Sequence, residues 1–446
     1  MENSKNRQLF GTNGVRGIAN TELTPEISMN LGRVIGSMVE GTIAVGMDAR
    51  ISSSMLKNAL IAGVLSTGSN VVDLGLSPTP AIQYYVKNNA DAGVIITASH
   101  NPKEYNGVKF IQEDGTEFTD EMDRESEKLF FSGNFKKVSW DEIGQLFHDS
   151  CLDMYVNGIV DRVDSESIKR RGFTVVVDGG NGVGSLTTPS ILKKLGCRVI
   201  SINCHLDGMF PGRQPEPEEH ALNELKRVVR EIGAELGVAH DGDADRAVFV
   251  DEKGNFIRED VLLALLAREY VNKHNGGVVV IPISTSKIVE DVVKEHGGSV
   301  IYTRVGSPTV AKVMKEEGAV FGGEGNGGLI FPEHQYCRDG GMAVAKILEM
   351  IVESDLSSLV SDMPSYYMIK EKIPCENRNK VMEELKNRFP DGDFTDGVRL
   401  NFEDGWVLIR PSGTEPLIRI FAESMDKNRA KDLLEFGKRE VSSILS

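Results

Sequence analysis

One plan of elements occurs three times along this 446-residue chain, and it restricts the fold more than any single motif does. Residues 42–75, 173–203 and 277–306 each open on a β-branched apolar run. Each then passes through a loop containing Gly or Ser, continues with apolar residues at helical spacing, reaches a glycine and ends in a second apolar run. That order reads as strand, helix, strand, which favours parallel pairing through a right-handed crossover. A second shared pattern follows each unit, at 92–110, 236–250 and 318–331: a short apolar strand, a polar loop and another apolar strand. Ligands of open α/β sheets sit outside strand ends. The three polar loops are therefore expected to occupy equivalent places in three similar α/β domains and to face one cleft.

The tail departs from the plan. Residues 380–389 and 429–445 read as helices, and 398–402, 406–410 and 417–423 as strands, which together make a small α+β domain. The segment 365–378 is expected to carry the boundary before it. An early helix is also expected, with Thr24 as its cap, Pro25 in its first turn, and Ile27, Leu31, Val34, Ile35 and Met38 along one face. The expected class is thus α/β, three similar α/β domains with mixed sheets plus a C-terminal α+β domain. The expected bounds are 1–152, 153–253, 254–366 and 367–446.

A formal net charge of −16 argues against nucleic acid or an anionic membrane as the main partner. An anionic ligand would need local Arg and Lys to overcome that field. Five cysteines, an odd number with no CxxC pair, point to reduced thiols and a cytoplasmic protein. The first ten residues lack the apolar core of a signal peptide, and the apolar run from Val261 is too short to span a bilayer.

Four loops carry the chemistry. "DGDADR" sets Asp241, Asp243 and Asp245 at alternating positions, which project to one side of an extended loop. Three clustered carboxylates repel unless a cation holds them, and an all-oxygen set suits a hard ion such as Mg²⁺ or Ca²⁺. An EF-hand is excluded because Arg246 stands where the turn needs Gly and the preceding residues read as a strand. "RPSGTEP" offers Arg410, Ser412, Gly413 and Thr414, with Arg419 on the next strand. Hydroxyls, backbone N–H groups and guanidinium forks suit a phosphate, and Arg16 and Lys109 are further candidate cations. "GEGNGG" holds Glu324 and Asn326 among glycines that allow close approach, a set that fits sugar hydroxyls. "GGNGVGS" from Gly179 lacks the P-loop lysine and the dinucleotide spacing, so it reads as a tight turn into a helix.

"TASHNP" places Ser99 beside His100 at the end of an apolar strand. Adjacent side chains make a poor nucleophile–base pair, and no local triad completes them. With a metal site and a phosphate site elsewhere in the chain, Ser99 reads instead as the carrier of a phosphoryl group. His100 keeps two readings, orientation or proton transfer.

Taken together and in order, "GTNGVRG", "TASHNP", "DGDADR", "GEGNGG" and "RPSGTEP" resemble the α-D-phosphohexomutases over nearly the whole chain. That family includes phosphoglucomutase, phosphomannomutase and phosphoglucosamine mutase. The resemblance implies four domains around a central cleft: a phosphoserine-loop domain, a metal-binding domain, a sugar-loop domain and a phosphate-binding domain. It implies a resting phosphoserine at Ser99, with one Mg²⁺ held by Asp241, Asp243, Asp245 and that group. It implies Arg16, Lys109 and Arg246 as basic residues of the catalytic centre, with Lys109 the choice for proton transfer. Glu324 and Asn326 would hold sugar hydroxyls, and Arg410, Ser412, Gly413, Thr414 and Arg419 the phosphate that is not transferred. The substrate would be a small sugar phosphate, with a hexose 1,6-bisphosphate as intermediate and activator, and the protein a monomer or homodimer.

Two positions depart from the family pattern: Gly328 stands where many relatives have histidine, and Ser307 where some do. "LFGTNGVRG" looks most like phosphoglucosamine mutases, whereas "GGEGNGG" followed by "LIFP" looks like archaeal enzymes. Glucosamine phosphate is therefore the expected substrate, with mannose and glucose phosphates as the alternative. Two rival classes remain: a non-catalytic sugar-phosphate binder, and a metal-dependent phosphatase that uses Asp241 as nucleophile.

Overall fold

The β-branched runs form strands and the intervening periodic stretches form helices in the computed structural model, which describes residues 9–11, 13–412 and 416–445. The chain falls into two units, one of residues up to Arg258 with Gly327–Ser361, the other of Glu259–Asn326 with the residues from Asp362 on.

The first unit holds two complete sheets. Six strands, β1 (Val15–Ile18), β2 (Thr42–Met47), β3 (Asn70–Leu76), β4 (Ala92–Ile96), β5 (Tyr105–Gln112) and β6 (Leu146–His148), lie in the order β1-β5-β4-β2-β3-β6. β2 pairs in parallel with β3 and β4, and β5 returns antiparallel to β4. Five more, β7 (Thr174–Asp178), β8 (Arg198–Ile202), β9 (Leu236–His240), β10 (Ala247–Val250) and β11 (Phe256–Ile257), lie in the order β11-β10-β9-β7-β8. Here β7 is parallel to β8 and β9, and β10 returns antiparallel to β9. Both sheets are mixed for the same reason. A helical crossover sets strands parallel, whereas a short polar loop allows only an antiparallel return.

The second unit repeats the parallel part with β12 (Gly277–Pro282), β13 (Gly298–Thr303) and β14 (Phe321–Glu324). β15 (Gly328–Phe331) and β16 (Gln335–Arg338), which belong to the first unit, form an antiparallel pair. The tail forms an antiparallel sheet of β17 (Tyr367–Pro374), β18 (Val398–Phe402), β19 (Gly405–Pro411) and β20 (Leu417–Ser424), in the order β17-β20-β19-β18.

The early helix spans Pro25–Met38, and the Thr24 hydroxyl accepts from the Ile27 N–H. Leu31, Val34 and Ile35 are buried against Ile43, Val45, Val94 and Ile96. Each fully buried aliphatic side chain is worth about 1.5–3 kcal/mol.

One strand went unread in the sequence. Within the segment 365–378, β17 pairs with β20 along its whole length, from Tyr367 opposite Ser424 to Pro374 opposite Leu417. Its Lys and Glu residues mask the apolar alternation of an edge strand. The tail sheet uses both faces. Val407, Ile409, Ile418 and Ile420 pack with Val381, Leu385 and Leu433 of the helices Arg378–Arg388 and Lys427–Leu445. Trp406 and Leu408 point the other way, against Ile283. Among the described residues no helix is long and apolar enough to cross a membrane.

Candidate active site

Ser99 sits three residues beyond the end of β4, with φ 51°. A non-glycine residue in that left-handed region costs on the order of 1–3 kcal/mol, and the surrounding contacts hold it there. The Thr97 hydroxyl accepts from the Ser99 N–H (2.8 Å) and donates to Asp48 Oδ2 (2.8 Å). Arg50 forms a buried ion pair with Asp48 (3.0 Å). The same guanidinium donates to the carbonyls of Ser99 (2.8 Å), Asn101 (2.7 Å), Pro102 (2.6 Å) and Tyr105 (3.0 Å). A tight turn leaves carbonyls unpaired, and one planar fork satisfies four of them. Arg50→Met is therefore expected to destabilise the protein by about 3–5 kcal/mol, since it also strands Asp48 in the interior. Urea unfolding of the variant checks this, and a loss below about 1 kcal/mol would refute the role.

The acidic loop follows β9 directly. Asp241, Asp243 and Asp245 are all buried, each with a carboxylate oxygen within 4.8 Å of the others. Gly242 is required between them, because a Cβ there would lie 2.6 Å from the Ser99 carbonyl oxygen. That approach brings two of the predicted loops together: Ser99 Oγ donates to Asp241 Oδ2 at 2.8 Å. Asp243 Oδ2 accepts from the Thr79 hydroxyl (2.7 Å). Lys109 Nζ lies 3.5 Å from Asp243 and 3.7 Å from both Asp245 and Glu117. Arg246 Nε is 3.9 Å from Asp241 and 3.8 Å from Asp245. Arg16 donates to Asn101 Oδ1 (2.6 Å) and to the Ala98 carbonyl (3.4 Å), which ties "GTNGVRG" to "TASHNP". Gly14 lets the same segment lie close against β5. It has φ +80°, and a Cβ would stand 2.4 Å from the Val108 carbonyl oxygen.

Burial and repulsion from Asp245 and Asp243 hold the Asp241 carboxyl well above the usual carboxylate range. Burial would raise Asp243 too, but Lys109, the Thr79 hydroxyl, Arg338 and Arg16 outweigh it and hold the group low. Three buried carboxylates this close cannot all ionise comfortably without a cation. Asp243 Oδ1 and Asp245 Oδ1 are buried without a hydrogen-bond partner. Orphaned oxygens in an all-oxygen donor set fit Mg²⁺. His100 lies with Nδ1 3.4 Å from Ser99 Oγ. Burial, with Arg246, Arg16 and Arg338 nearby, drops its pKa to about 2, so the ring is neutral in the neutral range. A neutral ring fits the orienting reading better than that of a proton donor.

The remaining candidates lie in the second unit. Glu324 ends β14 and accepts from the Gly306 N–H (3.2 Å). Asn326 donates its N–H to the Glu324 carbonyl (2.8 Å), closing the turn. Arg410 and Arg419 are register partners on β19 and β20, so both project from one face of the tail sheet. Arg410 pairs with Asp396 at 3.0 Å. The Ser412 N–H donates to the Leu417 carbonyl (2.9 Å). Gly413 and Thr414 lie outside the described residues.

Arg338 carried no signal in the sequence. It ends β16 and donates to Asp245 Oδ2 within the acidic cluster. Thr79, Asp48 and Arg50 were missed as well. Only the Asp-x-Arg beside the end of β2 offered a hint.

Models of phosphoglucomutase/phosphomannomutase α/β/α domains I, II and III match residues 7–137, 153–254 and 258–367, and the model of the C-terminal domain matches 371–436. The chain belongs to the phosphoglucomutase/phosphomannomutase family. Its four domains and mixed sheets are those of a phosphohexomutase, an isomerase by reaction class. A phosphoglucomutase/phosphomannomutase of Thermococcus kodakarensis is 46% identical, covering 98% of this chain and 99% of that one. A probable phosphoglucosamine mutase of Methanopyrus kandleri is 43% identical, covering 95% of each chain. Among solved structures, a phosphoglucomutase/phosphomannomutase family protein of Burkholderia thailandensis superposes with TM-score 0.88 at 25% identity over 98% of each chain.

Proposed function

We propose that this phosphohexomutase interconverts glucosamine 6-phosphate and glucosamine 1-phosphate through a phosphoserine at Ser99 and a bisphosphate intermediate. The observation that carries the mechanism is the Ser99 hydroxyl, 2.8 Å from Asp241 in a buried trio of carboxylates ringed by Lys109, Arg246 and Arg338. A phosphorylated Ser99 would place its phosphate oxygens against Arg246 and Arg338.

In the forward half-reaction a sugar hydroxyl attacks the phosphorus. The bond to Ser99 Oγ breaks, and the hydroxyl's proton passes to Lys109, which enters that step as the uncharged amine. The bisphosphate then turns over and returns its other phosphoryl group to Ser99. Mg²⁺ bound at Asp241, Asp243, Asp245 and the phosphoserine would neutralise charge on the group in transfer. Arg16 and Arg246 steady that group, and His100 orients the loop. Arg410, Ser412, Gly413, Thr414 and Arg419 are assigned the phosphate that stays on the sugar, which the shared face of the two arginines supports. Glu324 and Asn326 are assigned the sugar hydroxyls. Segments 1–152, 153–253, 254–366 and 367–446 are assigned the phosphoserine, metal, sugar and phosphate loops. All five cysteines are free thiols, which agrees with a cytoplasmic setting.

Glucosamine is favoured by the opening motif and by the Methanopyrus relative's name. Glucose and mannose are favoured by the Thermococcus relative's name. A mutase assay with the 1-phosphates of all three sugars, Mg²⁺ and a trace of bisphosphate decides between them. The highest kcat/KM is expected for glucosamine 1-phosphate. A preference of about tenfold, 1.4 kcal/mol, for mannose or glucose would overturn the sugar and leave the phosphoserine chemistry standing.

A further inference from the structure

A histidine stands directly before the acidic trio, and the phosphoryl-transfer chemistry gives it no part. His240 closes β9 with its side chain fully buried. Its Nδ1 lies 2.9 Å from the carbonyl oxygen of Arg246, at the far end of the loop that carries Asp241, Asp243 and Asp245. A carbonyl can only accept, so Nδ1 holds the proton of the neutral ring. Nε2 is then bare and accepts from the Thr188 hydroxyl (2.8 Å), on the helix Gly184–Lys194. The ring thus ties the two ends of the acidic loop together and anchors them to a helix. The backbone at the first end is also gripped by Arg213, which donates to the His240 carbonyl (2.6 Å) and pairs with Asp178 at the end of β7 (3.0 Å).

Neighbouring backbone closes in on the same loop. A Cβ at Gly340 would stand 2.7 Å from the Arg246 carbonyl oxygen, so the helix Gly340–Met350 starts directly against it. A Cβ at Gly182 would stand 2.7 Å from the Gly242 carbonyl oxygen, which gives the "GGNGVGS" turn a use as the floor beneath the aspartates. Within the loop, Ala244 has φ 57°, a left-handed conformation that a residue with a Cβ keeps only under constraint. Three carboxylates that repel one another need such restraint to stay convergent. Mg²⁺ tolerates little error in the placement of its oxygens, and groups that hold metal ligands from behind change metal affinity by about 10–100-fold.

We propose that His240 is a positioning residue for the metal site. Its Nδ1–H, acting through the Arg246 carbonyl, holds the acidic loop in the shape that takes Mg²⁺. The inference rests on the reading of Asp241, Asp243 and Asp245 as the Mg²⁺ ligands. The same brace fixes the backbone of Arg246, whose guanidinium lies beside Asp241 and Asp245.

The test is a calorimetric titration of the metal-free full chain with Mg²⁺, in the wild-type, His240→Asn and His240→Gln forms. The asparagine amide nitrogen falls where Nδ1 stands and can donate to the Arg246 carbonyl. The glutamine amide falls nearer Nε2 and leaves that carbonyl without its donor. His240→Asn is expected to stay close to the wild-type Kd, and His240→Gln to weaken Mg²⁺ by about tenfold or more. A residue that merely filled space would give the opposite order, because glutamine is nearer to histidine in volume. Equal affinity in all three forms, or weaker binding by His240→Asn than by His240→Gln, would overturn the inference while leaving the metal site standing. A wild-type chain that takes up no Mg²⁺ would overturn the metal reading and this inference with it. Should His240→Gln not fold, Thr188→Val keeps the imidazole and removes only the hydroxyl that steadies it. That variant is expected to weaken Mg²⁺ by about threefold or more, and an unchanged Kd would count against the brace.

Discussion

Ser99→Ala is expected to lower kcat by at least about a thousandfold, because the hydroxyl that carries the phosphoryl group is gone and no nearby side chain replaces it. Asp241 also lies against that hydroxyl, at 2.8 Å. A phosphatase that used Asp241 would survive the substitution, so the variant separates the two mechanisms. The fold should tolerate it, because Thr97 and Arg50 grip the backbone of residue 99 and not its side chain. The measurement pairs steady-state turnover with exposure to labelled hexose 1,6-bisphosphate. Wild-type protein should acquire label and the alanine variant none. Turnover at the wild-type rate, or label on the variant, would end the phosphoserine account.

Asp243→Asn should abolish the dependence on Mg²⁺. Asparagine has almost the same shape and can still accept from the Thr79 hydroxyl, so the loop should persist. It removes one of three negative charges from the donor set and offers a neutral oxygen where a hard cation needs an anionic one. Mg²⁺ at a hundred times its Kd adds about 2.7 kcal/mol to the wild-type protein, read as a rise in Tm. The variant should show little of that rise and lose at least about a hundredfold in kcat/KM. Lys109 keeps Asp245 and Glu117 as partners at 3.7 Å, so a collapse of the cluster should not confound the result. A full Mg²⁺-dependent rise in Tm with normal activity would show that the trio is not the metal site.

Much of this protein could be read from the chain alone, for a physical reason. The helix capped by Thr24, the thrice-repeated strand–helix–strand order and the turns at the strand ends are local. Each is encoded by periodicity, by Gly and Pro, or by a capping side chain within a few residues. The alternating aspartates were legible in the same way, because their spacing alone makes a repulsive cluster that calls for a cation. Edge strand β17 was not, since its charged residues mask the alternation and its partner lies at the far end of the domain.

Tertiary structure decided which residues meet. Ser99 reaches Asp241 across 142 positions, and Arg338 reaches Asp245 across 93. No local pattern encodes such contacts; they follow from sheet topology, which sets β4, β9 and β16 so that their loops converge. The pKa order within the acidic trio and its orphaned oxygens depend on burial. Burial belongs to the packed molecule and not to any stretch of its sequence.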